Sequence, residues 1–312
     1  MNKAVVIGAN GQDGGFLVRH LLRKNYTVMG IGRQAYSRYV IDFPRFTYYQ
    51  ADLNETGILS EPLAKFRPDL IFHVAAVHTS AGGDYESRFD SVLKVNVGSV
   101  HTVLEHARLN SGCRFIYASS AKVFGNPTPA VINESTVKKN QCLYSISKNT
   151  AYHLIDYYRK KYGLPASVVY LFNHESEHRP SNFFIPKILD CLASAVRNPE
   201  HITEIDTLNF HCDWGSAEEY MDIMVEIVEK RPAEDFVLAT GACTFARDLI
   251  SKLFSDYELK YERNLLERFN SDNLPDGPYK VELEKLKKYL NRSPRIGVYD
   301  ICRRILAKNY GL

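Results

Sequence analysis

In the run Tyr144-Ser145-Ile146-Ser147-Lys148 a phenol and an ammonium stand four residues apart, which on a helix puts them on one face, one turn from each other. A neighbouring cation favours phenolate, so a tyrosine whose pKa starts at roughly 10 can exchange a proton with an alcohol near neutral pH. A second run, Gly8-Ala9-Asn10-Gly11-Gln12-Asp13-Gly14, follows the apolar stretch Ala4-Val5-Val6-Ile7 and spaces its glycines as Gly-x-x-Gly-x-x-Gly. Glycines at a strand-to-helix turn let a diphosphate approach backbone N–H groups and the helix N-terminus. Gly8, Asn10, Gly11, Gln12, Asp13 and Gly14 are therefore candidate cofactor contacts. The combined chemistry is proton transfer beside a dinucleotide. The ten histidines and six cysteines show no ligand spacing and no Cys-x-x-Cys, so neither a metal site nor a disulfide framework is encoded.

These residues need a scaffold, and the first 175 residues supply its pattern. Short β-branched runs (4–7, 27–31, 46–50, 70–74, 114–118, 167–171) alternate with amphipathic stretches at 14–24, 58–66, 84–108 and 144–162. This is the signature of βαβ units around a doubly wound parallel sheet, an α/β Rossmann fold. Helices are further expected at 183–196, 217–230, 281–290 and 298–306, and a strand at 236–240 that returns to the main sheet. The expected division is a dinucleotide-binding domain over 1–172 and a smaller C-terminal region over 173–312 that mainly binds substrate. The two long helices at 84–108 and 144–162 carry Val92, Val95, Val100 and Leu104, and Leu154, Ile155 and Tyr158, on more than one face, which suits a homodimer or homotetramer interface.

Composition narrows the partners. At 45% hydrophobic and 24% charged the 312 residues describe an ordinary globular chain, and 39 basic against 36 acidic residues leave a net charge of +3. That is too little for a nucleic-acid or anionic-membrane surface. A single lysine precedes an apolar run of only four residues, and no stretch approaches the ~18 apolar residues of a membrane span. A cytoplasmic protein with reduced thiols is expected.

Cofactor choice is written at the end of the second strand, where an acid would bind a ribose 2′-hydroxyl and an arginine a 2′-phosphate. The sequence there is Gly30-Ile31-Gly32-Arg33-Gln34, without an acid. Arg33 favours NADP(H) and leaves NAD(H) open, because the side chain could equally stack on adenine or lie in solvent. Asp52 is placed either to accept from the adenine amino group or to cap its loop with Asn54. Leu53, Ala75 and Ala76, after the third and fourth strands, are counted with the cofactor residues.

Ile116-Tyr117-Ala118-Ser119-Ser120-Ala121-Lys122-Val123-Phe124-Gly125 ends a strand with hydroxyls at its C-terminal edge, the edge at which such sheets bind ligands. Glycine loop, strand-edge serines and the Tyr/Lys helix in this order resemble the extended short-chain dehydrogenase/reductases that modify nucleotide-linked sugars. The resemblance implies that Ser120 holds the reacting sugar oxygen, that Tyr144 is the acid/base, and that Lys148 holds the nicotinamide ribose and lowers the tyrosine pKa. It also implies that Asn96 supports the site from a helix; a buried structural amide is the other reading of that residue.

Within these enzymes, Gly11-Gln12-Asp13-Gly14, Leu171-Phe172-Asn173-His174-Glu175-Ser176 with the following Arg179, Asn182-Phe183 and Lys187-Ile188, then Asp213-Trp214-Gly215 and Ala239-Thr240-Gly241, are similar to the GDP-mannose 4,6-dehydratase family. The similarity implies a GDP-sugar substrate, with Asn173, Arg179, Asn182 and Lys187 holding diphosphate or guanine. Two departures stand out. Lys122 occupies the position, two after the catalytic hydroxyl, where the dehydratases carry the glutamate that takes the C5 proton; a protonated ammonium cannot do this. Cys212 stands where relatives carry a phosphate-contacting arginine, a task left to Arg179, Lys187 or Arg268. Ser-Ser-Ala-x-Val-Phe-Gly is instead similar to sugar 4-epimerases. The reading is an NAD(P)-dependent oxidoreductase at C4 of a GDP-linked mannose-type sugar, acting as dehydrogenase, 4-keto reductase or 4-epimerase, with Lys122 among the substrate contacts. Its alternatives are a 4,6-dehydratase with a relocated base such as Glu175, and a non-enzymatic dinucleotide sensor.

Overall fold

The aliphatic runs are apolar on both faces, so each must be covered on both sides, which favours a parallel sheet sandwiched between helices. The computed structural model describes residues 2–40, 42–79, 83–126, 128–230, 233–269 and 277–312. Its main sheet has seven parallel strands in the order Phe236–Leu238, Ala166–Leu171, Arg114–Ser120, Leu70–His73, Lys3–Ile7, Thr27–Gly32, Phe46–Gln50. Strand order reverses between Lys3–Ile7 and Leu70–His73, which opens the ligand crevice at the C-terminal edge beside the glycine loop.

One face is covered by helices Gln12–Arg23, Ala217–Lys230 and Glu284–Leu290, the other by Ser60–Phe66, Ser99–Leu109 and Leu143–Tyr162. Phe16, Leu17 and Leu21 on the first helix are each almost wholly buried, a contribution of roughly 1.5–3 kcal/mol apiece. Helix Leu143–Tyr162, which carries Tyr144 and Lys148, is started by a reciprocal cap between Cys142 and Ser145 and ended by Gly163 at φ +66°. These two ends fix where the phenol emerges.

The continuous helix expected over 84–108 is broken. A 3-10 turn Glu86–Arg88, a short α-helix Phe89–Leu93 and a π-turn Lys94–Gly98 precede the helix Ser99–Leu109. The π-turn presents Asn96, whose buried amide accepts from the Val77 amide (2.8 Å) and donates to the Ser147 hydroxyl (3.0 Å). Its tertiary partners explain a distortion that helical periodicity does not encode. Val92, Val100, Leu104, Ile155 and Tyr158 are consumed in the monomer core; the apolar side chains exposed on these helices are Phe89, Leu93, Leu109, Ile146, Tyr157 and Tyr162.

After Leu171 the chain builds a smaller layer around Ile185, Leu189, Trp214, Leu249, Phe254 and Ile301. A three-stranded sheet (Asn173–Glu175, His211–Ser216, Cys243–Phe245) joins this layer to the main body. The seventh strand stops at Leu238, short of Thr240, because the amides of Thr240 and Gly241 turn to the buried Asp213 carboxylate (2.9 and 2.7 Å). The helix expected from Val281 begins at Glu284, since Lys280–Val281 pairs as a strand with Val131–Ile132.

Candidate active site

The glycine loop lies at the mouth of a cleft of about 530 Å³ lined by Gly8, Asn10, Gly11, Arg33, Asp52, Leu53, Ala75, Ala76 and His78 among others. Gly8 has φ +99°, and a Cβ there would stand 2.7 Å from the Ala75 amide nitrogen. At Gly14 a Cβ would stand 2.1 Å from the Gly8 carbonyl oxygen. Gly11 caps helix Gln12–Arg23 without any side-chain hydrogen bond, so the first amides of that helix are left for an anion. This bare cradle fits a dinucleotide diphosphate.

At the end of the cleft beside the third strand, Asp52 is committed to its loop: its carboxylate accepts from the Asn54 amide (3.0 Å) and side chain (2.9 Å), and these bonds hold it below the usual carboxylate range. Arg33 is exposed on the cleft wall. Asn10, on the cleft wall, pins the loop that carries Arg33. Its amide donates to the Tyr36 carbonyl (2.8 Å) and Tyr48 hydroxyl (3.0 Å) and accepts from the Arg38 amide (2.8 Å).

Ser120, Tyr144 and Lys148 come together at the C-terminal edge of the sheet. The Ser120 hydroxyl lies close enough to the Tyr144 phenol to act on its titration, and its Oγ accepts from the Lys122 amide (3.3 Å). Lys148, almost fully buried, donates to the Ala118 carbonyl (2.7 Å) and lies over the Tyr117 and Tyr144 rings. In the free protein burial dominates both groups. It pushes the Tyr144 phenol above its ordinary value, with the Tyr85 phenol adding to the shift, and lowers Lys148 to about 7, against the pull of Asp13. The phenol is therefore raised by desolvation, and the groups that pull it down are the Ser120 hydroxyl and the Arg179 charge rather than the expected Lys148.

The motif Asn173–Ser176 ties the glycine loop to the C-terminal layer. His174 donates from Nδ1 to the Phe172 carbonyl (2.7 Å), and its Nε2 faces both Asp13 oxygens (3.0 and 3.1 Å). Both ring nitrogens thus meet pure acceptors, the pattern of an imidazolium. Burial opposes the charge on each partner, yet their mutual attraction raises His174 and lowers Asp13. Gln12 donates to the His174 carbonyl (3.2 Å) and accepts from the Ser176 hydroxyl (2.8 Å). Gln12 and Asp13 are thus joints between the two halves, and neither side chain lines the cleft.

The residues expected on the substrate scatter. Arg179 lies over the Phe183 ring, with Nε 3.7 Å from a Glu175 oxygen, and its charge acts on Tyr144, His78 and Asp13; it belongs to the Tyr144 end of the cleft. Lys122 is exposed, and its charge reaches His78. Asn173 and Asn182 are exposed, and Lys187 is half-buried on the first turn of helix Phe184–Arg197. Arg268 is held at the surface by Glu204, with two bonds of 2.8 and 3.0 Å, and does not line the cleft. Glu175 is buried between Arg179 and the C-terminal helix Val298–Ile305, behind the cleft rather than in it. Cys212 is buried.

Two residues that sequence reasoning passed over stand at the centre. His78 lies 4.6 Å from the Tyr144 ring and 5.8 Å from Phe183, centroid to centroid, and its Nδ1 is 2.8 Å from the Tyr85 hydroxyl. Tyr85 also stacks on Tyr144 at 5.8 Å. The available signal was position: His78 follows Ala75-Ala76-Val77 directly off the C-terminal end of a central strand. Among the described residues no group of three His, Cys, Asp or Glu side chains could hold a metal ion, and no helix is long and apolar enough to cross a membrane.

Comparison with known proteins agrees with this architecture. The chain is 30% identical over 268 residues to a GDP-mannose 4,6-dehydratase of Sordaria araneosa, covering 83% of this chain and 48% of that protein. It is 26% identical to GDP-mannose 4,6 dehydratase 2 of Caenorhabditis elegans, covering 99% and 89%. The chain thus spans about half the length of the first relative and most of the second. Among solved structures, the dTDP-glucose 4,6-dehydratase of Streptomyces venezuelae with NAD bound superposes with a TM-score of 0.82 at 19% identity, covering 99% of this chain and 98% of that one. The UDP-glucose 4-epimerase of Thermotoga maritima gives 0.79 at 17% identity, with 96% of each chain covered. At those identities the likeness is one of fold. Residues 5–294 match the family described as GDP-mannose 4,6 dehydratase, and the chain belongs to that family of extended short-chain dehydrogenase/reductases.

Proposed function

We propose that this chain is a nicotinamide-dependent oxidoreductase that moves a hydride at C4 of a GDP-linked, mannose-type sugar without eliminating water. The observation that carries the reading is the assembly of Ser120, Tyr144 and Lys148 beside the glycine-loop cleft, with Lys122 rather than a carboxylate at the strand edge. When bound, the dinucleotide supplies the hydride acceptor or donor. The chain's own groups do the rest. Ser120 hydrogen-bonds the sugar O4, and Tyr144 removes its proton as the C4–H bond breaks, or returns it in the reverse direction. Lys148, fixed by the Ala118 carbonyl, holds the ribose hydroxyls and places its charge beside the phenol.

Glycine loop, Arg33 and Leu53 form the cofactor side, with NADP(H) favoured by Arg33 and NAD(H) open. Arg179 and Lys122 supply positive charge to the sugar-diphosphate side. The working unit is a homodimer or homotetramer built on the adjacent helices that expose Phe89, Leu93, Ile146 and Tyr157.

The test is incubation with GDP-mannose and its 4-keto derivatives in deuterium oxide with either cofactor, following nicotinamide absorbance and product NMR. Hydride exchange at C4 without deuterium at C5 is the expected outcome; a 4-keto-6-deoxy product at an enzymatic rate would restore the dehydratase reading. In the same assay Tyr144→Phe should lower turnover by roughly 10²–10⁴, about 3–5 kcal/mol of barrier, with nucleotide binding little changed. A Tyr144→Phe enzyme that exchanges the label at the wild-type rate defeats the assignment.

A further inference from the structure

The contact between His78 and Tyr85 has a direction. The Tyr85 hydroxyl oxygen accepts from the Thr79 amide (3.3 Å) and lies 2.8 Å from His78 Nδ1. A phenol oxygen that already accepts from an amide is a poorer acceptor for a second donor than it is a donor of its own proton, and Nδ1 is the acceptor within reach among the described residues. An imidazole that accepts at Nδ1 carries its proton on Nε2. The ring is flanked by Tyr144 and Phe183, so its plane is fixed, and the residue lines the cleft. No hydrogen bond of Nε2 occurs among the described residues.

We infer that His78 presents Nε2–H as a fixed donor to a sugar oxygen next to the one Tyr144 serves, and that Tyr85 sets the tautomer. This rests on reading Tyr144 as the group at the reacting sugar oxygen. A donor, not a base, is what the surroundings select. Burial, and then the charges of Lys122, Arg179, Lys148 and His174, keep the imidazole neutral, lowering it to about 3. A neutral Nε2–H cannot take a C5 proton, but it can hold a hydroxyl or carbonyl oxygen so that the ring presents one face. His78 is thereby a specificity-determining contact on the sugar.

Two measurements test it on the full chain. Nitrogen-15 NMR of the free protein, with the His78 signal assigned by its loss in His78→Gln, should show Nε2 protonated; Tyr85→Phe should disturb that preference. Protonation at Nδ1 overturns the proposal. Because this readout needs no ligand, it decides even if GDP-mannose proves not to be the sugar nucleotide. For binding, His78→Phe keeps a packed ring and deletes the donor, so affinity for GDP-mannose should fall by about tenfold with GDP alone unchanged, the scale of one hydrogen bond. His78→Gln, which restores an N–H, should recover much of the loss. Equal loss toward GDP alone, or full GDP-mannose affinity in His78→Phe, would refute the sugar contact while leaving the Tyr144 assignment to its own test.

Discussion

The side chains that matter most here are controlled by desolvation before they are controlled by one another. Lys148 is brought to about 7 by burial, so its charge is conditional on what else enters the site. Asp13 and His174 are the counter-example, since their attraction overcomes burial on both sides. The two shifts define a pH window. Asp13 is depressed, so its contribution exists above the ordinary carboxylate value of about 4 and is lost as pH falls through the folded value. His174 is raised, so its contribution is full below about 6.5 and is lost as pH rises through the folded value. Asp13→Asn should therefore cost about 3 kcal/mol in urea unfolding between roughly pH 4 and 6.5, with the gap to wild type shrinking on either side. A constant gap would show that the pair is not ionised as argued. At the opposite end of the cleft, Arg33→Ala should weaken NADP(H) by about 1.5–3 kcal/mol, the scale of a charged hydrogen bond, and leave NAD(H) nearly unchanged in fluorescence titration. The sequence made the Tyr/Lys pair readable because helical spacing is local; His78 was not, because its meaning depends on Tyr85, Tyr144 and Phe183 arriving from three other segments.

Elements were legible to the extent that their causes are local. The strands and the glycine turn follow from alternation and backbone freedom. The break at Lys94–Gly98 does not, since it exists to deliver Asn96 to Val77 and Ser147. The strand-to-helix turn carries the sharpest test at this scale. A methyl at Gly14 would sit 2.1 Å from the Gly8 carbonyl and 2.6 Å from the Ala9 Cα, both backbone atoms that cannot step aside singly. Gly14→Ala should cost 1–3 kcal/mol or so of stability by overpacking and weaken dinucleotide binding at least tenfold, read by thermal unfolding with and without cofactor. Unchanged cofactor affinity would mean that the diphosphate does not use this turn.

For the molecule as a whole, assembly is the open prediction: light scattering at micromolar concentration should give a dimer or tetramer, and Leu93→Lys with Ile146→Lys should give monomer. Monomeric wild type would remove the interface reading of the exposed apolar side chains on these helices. The fold class was legible because alternating runs report a parallel sheet, whereas the joints between layers were not, since Gln12–Ser176 and Asp13–His174 link residues far apart in the chain. The seventh strand carries the same lesson into time. Phe236–Leu238 closes the edge of Ala166–Leu171, yet it is made about 65 residues later, an interval of roughly 3–13 s at ribosomal rates of about 5–20 residues per second. Throughout that interval the nascent main sheet offers a bare, apolar strand edge, Val168-Val169-Tyr170-Leu171, to any other chain within reach. Ribosome spacing on the message, and whatever chaperone shields that edge, therefore bear on the yield of this protein as directly as any residue in its active site.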